Sequence, residues 1–506
     1  MHQVARFDDL REDRGTRVTV SDTPIMLVRL GDEVRAFSAD CPHAGAPLEE
    51  GAICNGRIVC PWHKGTFQIG DGSVVEPPAL VGLQQYPVSI ENGNVLVSAT
   101  PRSEPEPGPA TDKRTMAVIG AGAAGAAACA ALRQAGFEGR LVLAGAEQVA
   151  PYDRTTLSKF VLSGDMPPDD VPPLLSPDFL STHRVERIVS EVVRLDASTR
   201  QIELSNDTTL QADAVLVCTG GVPKPMNVPG ADLKGVHFLR SREDAVSILA
   251  SLEGAKRAVI VGAGFIGLEV ASCLRKRNID VTVVSPGQVP FASQFGEAVG
   301  GMIKKLHEEN RVVFRMPAKV ASFLGNGAVN AVELQGGEKV LADVVIVGTG
   351  VRPATDFIDG LPLADDGGVP VDSAMRAAPG VYAAGDIARF PLPRSGETLR
   401  IEHWRVAQQH ARVAAVNMAG GDEHYVGVPF FWTYHFEKNI EYLGHASQHD
   451  EVVVDGDLDA QDFIAYLLHE GKVAAVVACQ REAETARLAE AMRAVLTLDE
   501  ARRAAG

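Results

Sequence analysis

The chain has 506 residues, of which 45% are hydrophobic and 22% charged, and a formal net charge of −17. That apolar content excludes wholesale disorder, and the acidic balance makes nucleic acid and anionic membrane surfaces poor partners. Seven cysteines, an odd number in so long a chain, argue against a secreted disulfide scaffold.

At roughly 100–200 residues per domain, the length predicts about three to four domains. The N-terminus, MHQVARFDDLREDRG, is charged almost at once and has no apolar targeting core, so a cytoplasmic protein is expected. Residues 1–100 read as a small antiparallel β domain. Short β-rich runs, Arg17–Thr19, Ile25–Arg29, Arg57–Val59 and Asn94–Val97, are punctuated by Gly, Asp and Asn. Within them lie Cys41-Pro42-His43 and, 16 residues on, Cys60-Pro61-Trp62-His63. Two Cys and two His in pairs suit tetrahedral zinc. In a β-rich setting, however, the pattern resembles the Rieske ferredoxin family. That resemblance implies a [2Fe–2S] cluster with Cys41 and Cys60 on one iron and His43 and His63 on the other. Neither ligand pair has a neighbouring cysteine, as in the lower-potential ferredoxin type. Cys54 reads as a small strand hydrophobe.

Residues 101–113 read as a proline-rich spacer: Thr100–Lys113 holds four prolines and two glutamates. Beyond it, continuous apolar runs such as Met116–Ile119, Leu141–Leu143, Ala258–Val261 and Val344–Val347 predict buried parallel strands. Met116–Leu132 is an uncharged run of 17 residues, near membrane-span length, but its Ala and Gly suit a strand and a small-residue helix better. A Gly-x-Gly-x-x-Gly motif, Gly120, Gly122 and Gly125, recurs 142 residues later as Gly262, Gly264 and Gly267. Each copy follows an apolar strand and opens a helix, the setting in which the glycines allow the turn, the approach of a pyrophosphate and close helix packing. Two dinucleotide sites are therefore expected. Glu147, 22 residues past Gly125, is placed for a ribose hydroxyl.

The stretch Pro151–Lys159 (PYDRTTLSK), the motif Val381–Asp386 (VYAAGD), Ile401–Trp404 (IEHW) and Val428–Thr433 (VPFFWT) resemble the ferredoxin reductase and apoptosis-inducing-factor-like flavoproteins. The resemblance runs from residue 114 onward. It implies FAD contacts from Arg154, Lys159, Arg240, Asp386, His403 and Trp432, and places Glu402 toward the nicotinamide. Lys159 and Glu269 form its catalytic pair. The second glycine motif, with Ser285 and Gly350, takes the nicotinamide nucleotide. Ser285 stands where NADH-specific relatives carry an acid, and no Arg follows it nearby, so both NADH and NADPH stay open. The remaining cysteines are too widely spaced for a dithiol relay.

The expected architecture is multidomain. An all-β Rieske domain (1–100) is followed by a FAD domain in two parts (114–240 and 355–430), an NAD(P) domain (241–354) and an α+β C-terminal domain (431–506). The implied function is a fused reductase. Hydride passes from NADH or NADPH to FAD, and electrons go singly to the tethered cluster, then to an external protein acceptor such as an oxygenase component. A short spacer raises the local concentration of the cluster domain to roughly the millimolar range. The alternatives are a redox sensor of the apoptosis-inducing-factor type and an NAD(P)H oxidase using O₂. Neither nucleic acid nor membrane is expected as a partner, and the oligomeric state is monomer or dimer.

Overall fold

A computed structural model describes residues 1–103 and 111–506. Most of the proline-rich spacer therefore lies outside the described residues. The N-terminal module is all-β, as expected. One three-stranded sheet orders His2–Arg6, Asn94–Val97 and Val88–Glu91, and a second joins Thr16–Val20, Thr23–Leu30 and Glu33–Ser38. A small four-stranded sheet, Ala52–Cys54, Arg57–Val59, Thr66–Gln68 and Val74–Glu76, carries the second Cys/His pair between its two central strands. Met26, Phe37, Ile58 and Phe67, all at most 1% exposed, pack beneath both ligand loops.

The larger part contains two nucleotide-type sheets. The first orders Val185–Val189, Arg140–Gly145, Thr115–Ile119, Ala214–Val217 and Val381–Ala383 in parallel, with Arg376–Ala378 antiparallel at the edge. The near-membrane-length run resolves into its strand Thr115–Ile119 and the helix Ala123–Gln134. Small side chains on that helix let a second one, Trp404–Ala419, pack closely against it. Among the described residues, no helix is long and apolar enough to cross a membrane.

The second sheet orders Val236–Phe238, Val344–Val347, Arg257–Val261, Asp280–Val284 and Val313–Arg315, all parallel. It is spliced into the first through an antiparallel ribbon of Gly221–Pro223 with Val351–Pro353. The C-terminal part is a five-stranded antiparallel sheet beginning at Phe430–His435, followed by two helices. The sequence suggests one final helix, Glu482–Val495. In the structure it stops at Ala491, and a capping box of Thr497 and Glu500 starts another over Leu498–Ala505.

The β module is clamped to the rest by buried polar contacts. Arg405, 3% exposed on Trp404–Ala419, donates to the carbonyls of Lys64 (2.9 Å), Pro77 (2.7 Å) and Val428 (3.1 Å). Glu76 accepts from Gln409 and Arg493 at 2.7 Å each, and Arg57 pairs with Glu490 at 2.9 Å. A buried guanidinium that satisfies carbonyls of two separate segments fixes their relative position, because each would otherwise be left unpaired.

Candidate functional site

Both Cys/His pairs sit in loops of one design. The Cys41 amide donates to Ala46 O and the Cys60 amide to Gly65 O, each at 2.8 Å across the same six-residue span. The fifth residue of each loop has positive φ: Gly45 at +75° and Lys64 at +58°. Each turn aims two backbone amides at its sulfur, those of His43 and Ala44 at Cys41 and those of Trp62 and His63 at Cys60. The two thiols hydrogen-bond each other; that bond, with the amides of His63 and Trp62, draws Cys60 down to about 7, while the same bond and burial push Cys41 up against the pull of its own two amides. The His43 and His63 Nδ1 atoms face each other at 3.1 Å. Burial holds both imidazoles below their usual range, in the neutral form that ligates metal. One sulfur pair and one imidazole pair, each with matching loop geometry, fit a cluster whose irons take two protein ligands apiece.

A cavity of about 1140 Å³ opens where the two nucleotide sheets and the C-terminal sheet meet. Gly120, Gly122, Glu147, Arg154, Lys159, Arg240, Glu269, Asp386, Glu402, His403 and Trp432 all line it. The glycine motifs show why it suits a dinucleotide. A Cβ at Gly125 would lie 1.9 Å from Gly120 O, and one at Gly267 would lie 2.2 Å from Gly262 O. At Gly122 and Gly264, by contrast, a Cβ would meet nothing within 4 Å. In both copies the third glycine lets the helix close on the strand, while the second leaves open space at the helix N-terminus, where a phosphate binds. His403 Nδ1 and Trp404 Nε1, both at the cavity, are buried without partners among the described residues. These features fit a flavin dinucleotide.

Charged groups in the cavity are already organised. Tyr152 donates to Glu147 at 2.8 Å and Arg154 ion-pairs with the same carboxylate, so Glu147 also fixes Arg154. Arg240 pairs with Asp386 at 3.1 Å across 146 residues. Partial burial and nearby Asp386 raise Glu402 above the ordinary carboxylate range, opposed by Arg400 at 3.0 Å. Burial brings His403 down to about 3. Lys159, on a one-turn π-helix over Leu157–Val161, lies 3.0 Å from the Glu269 carboxylate.

Gly125, Gly262, Gly264, Gly267, Ser285 and Gly350 do not line this cavity. Ser285 follows Asp280–Val284, and its amide donates to Arg315 O at 3.3 Å. An arginine does therefore stand beside Ser285, brought by the neighbouring strand rather than by sequence. Its guanidinium is paired with Glu338 at 2.7 Å. Gly350, φ +99°, stands just before the ribbon strand Val351–Pro353. Nothing in the sequence around Trp404, Ser158, Thr433 or His435 marks these residues individually as part of the site.

The second Cys/His loop reaches the cavity wall through a ring contact. The ring of His63 lies 4.1 Å from the ring of Trp432, tilted by 44°, and Trp432 lines the cavity. Residues 1–87 match the Rieske [2Fe-2S] domain, 114–411 the pyridine nucleotide-disulphide oxidoreductase model and 430–505 the reductase C-terminal model. The chain belongs to the pyridine nucleotide-disulphide oxidoreductase family. It is a FAD-dependent oxidoreductase using NAD(P)H, fused to a Rieske [2Fe–2S] domain. Human apoptosis-inducing factor 3 is 33% identical over 97% of this chain and 83% of its own length. The biphenyl dioxygenase system ferredoxin–NAD(+) reductase component of Paraburkholderia xenovorans is 36% identical over 72% of this chain and 89% of its own. Among solved structures, the covalent putidaredoxin reductase–putidaredoxin complex is similar with a TM-score of 0.71 and 28% identity. It covers 75% of this chain and 93% of that one.

Proposed function

We propose that this chain passes electrons from NAD(P)H by way of FAD to its own Rieske cluster, and on to an external redox protein such as an oxygenase component. The observation that carries the reading is the His63–Trp432 contact, which joins a cluster ligand to the wall of the flavin cavity. Bound FAD would supply the chemistry that couples hydride from the nicotinamide to the one-electron demand of a [2Fe–2S] centre. The residues supply position and charge. Gly120 and Gly122 leave room for the pyrophosphate at the helix N-terminus, and Arg154, Arg240 and Asp386 hold the phosphate and ribityl regions. His403, Trp404 and Trp432 bound the ring system, Lys159 presents a positive charge paired with Glu269, and Glu402 faces the nicotinamide. Gly262, Gly264, Gly267, Ser285 and Gly350 form the NAD(P)H site.

Clamping by Arg405 and Glu76 holds the cluster against the cavity, so transfer to it needs no diffusive encounter. The cluster domain works as a seated part of the reductase rather than as a tethered shuttle. Beyond Cys41 and Cys60, five cysteines stand without a disulfide, which suits a reducing, cytoplasmic setting.

Anaerobic mixing of the holoprotein with NADH or NADPH, following flavin bleaching and the cluster EPR signal, tests this. Wild type is expected to show both signals, and Trp432→Leu to reduce the cluster about tenfold more slowly, ~1.4 kcal/mol of added barrier. Flavin bleaching with a cluster that stays oxidised would refute the route. The likeness to apoptosis-inducing factor 3 over 97% of the chain favours a second reading, a redox sensor. It predicts a long-lived reduced complex with negligible turnover of any acceptor.

A further inference from the structure

Glu269 is 3% exposed, and four donors converge on its carboxylate. Lys159 Nζ lies 3.0 Å away and Ser158 Oγ 2.5 Å; on the other oxygen, Thr433 Oγ1 lies at 2.8 Å and the Tyr434 amide at 3.1 Å. Behind this cluster runs a second layer with no role in the family reading. Thr433 Oγ1 is 3.0 Å from His435 Nε2, and His435 Nδ1 is 3.3 Å from His307 Nε2. Thr433, His435 and His307 are all 0% exposed.

Hydrogen counting gives this chain one direction. A carboxylate only accepts, so the single hydroxyl hydrogen of Thr433 points at Glu269. The hydroxyl oxygen is then an acceptor, and His435 Nε2 carries the hydrogen it faces, with the Leu268 carbonyl as a further acceptor beside the ring. A neutral imidazole with Nε2–H has a bare Nδ1, so His307 Nε2 donates to it. That leaves His307 Nδ1 as a lone pair, and this atom is buried without a partner among the described residues. An unpaired buried acceptor is better tolerated than an unpaired N–H, so the chain ends where its cost is least. Burial supports neutral rings throughout: it lowers His435 to about 3 and His307 well below its usual value.

We infer that His435 and His307 are positioning residues for the reductase site: as a one-directional neutral pair, they lock the Thr433 hydroxyl onto Glu269 and so hold the Glu269–Lys159 pair at the cavity wall. The functional half of this inference rests on the reading that Lys159 faces the flavin. The hydrogen-bond half does not.

Two measurements test it. In ¹⁵N-histidine-labelled protein at pH 7, with His435 assigned by its loss in His435→Gln, long-range ¹⁵N–¹H spectra are expected to show His435 and His307 as neutral Nε2–H tautomers. An imidazolium or an Nδ1–H tautomer at His435 would overturn the inference. In FAD-loaded protein, His435→Leu is expected to lower kcat about tenfold with KM within about twofold, the pattern of a lost interaction at the reacting centre. His435→Gln, whose amide donates to Thr433 and whose carbonyl accepts from His307, is expected to recover to within about threefold. Equal losses in Leu and Gln would mean that His435 only fills space, which also overturns it. Should Lys159→Met leave flavin reduction unchanged while the tautomers are as stated, the flavin reading fails and the hydrogen-bond chain stands.

Discussion

Lys64 and Glu441 form a 2.7 Å ion pair with side chains 0% and 3% exposed, across 377 residues of sequence. Lys64 follows His63, which we propose as a cluster ligand, and takes the positive φ of its loop, so the pair ties that loop directly to the C-terminal sheet. Thr485 Oγ1 satisfies the other Glu441 oxygen at 2.5 Å, and the Lys64 ammonium also reaches the Pro61 and Glu482 carbonyls. A left-handed backbone at a non-glycine residue costs roughly 1–2 kcal/mol, which this set of contacts offsets.

Removing one member strands the other charge out of water. Lys64→Met is expected to destabilise the protein by about 3–5 kcal/mol in urea unfolding, whereas Lys64→Met/Glu441→Leu recovers most of the loss. If the double variant is no better than the single one, the pair is not what seats the loop.

The paired glycines predict opposite phenotypes for one chemical change. Gly125→Ala puts a methyl 1.9 Å from Gly120 O and is expected to lower the melting temperature of the apoprotein. Gly122→Ala meets nothing within 4 Å, so the apoprotein melts as wild type while FAD affinity falls, read by flavin fluorescence on dilution. The second motif repeats this: Gly267→Ala destabilises, and Gly264→Ala raises the KM for NAD(P)H. Equal melting losses at Gly122 and Gly125 would remove the distinction.

The parts of this site legible in the sequence are those built over short spans. Each Cys/His pair lies in one turn and each glycine motif in one strand–helix junction, so spacing alone specifies the chemistry. What was not legible comes from chain crossings. Glu269 meets Thr433 across 164 residues and His307 meets His435 across 128, and nothing in the local pattern of either pair marks it. The proline-rich spacer predicts only a raised local concentration of the cluster domain, whereas docking is decided by Arg405, Glu76 and Lys64, whose partners lie hundreds of residues away. Arg315 beside Ser285 is illegible for the same reason: a parallel strand pair joins residues that lie far apart in the sequence.

We propose that nucleotide choice turns on Ser285. An acid at this position accepts the ribose 2′-hydroxyl of NADH and repels the 2′-phosphate of NADPH. Ser285→Asp is therefore expected to raise the NADH/NADPH ratio of kcat/KM about 100-fold, ~2.7 kcal/mol of discrimination. Steady-state rates with both nucleotides measure it, and an unchanged ratio would place the adenosine ribose elsewhere.

Acid stability follows from histidines buried as neutral rings. His410 is 0% exposed, packs against Phe390 at 4.2 Å and Tyr425 at 4.8 Å, and has no partner at either ring nitrogen among the described residues. Burial lowers it to about 3, against about 6.5 in the unfolded chain. Between those values the unfolded state binds the extra proton, so stability is complete above about pH 6.5 and is lost as pH falls. One such group contributes about 1.4 kcal/mol per pH unit to the slope. Denaturant unfolding at pH 5 and pH 6 is expected to give His410→Leu a slope shallower than wild type by about that amount. His410→Leu also keeps the apolar contacts with Phe390, so its stability at pH 7 should change far less than its pH slope. An unchanged slope would mean that the ring already carries its proton in the folded protein, or that water reaches it.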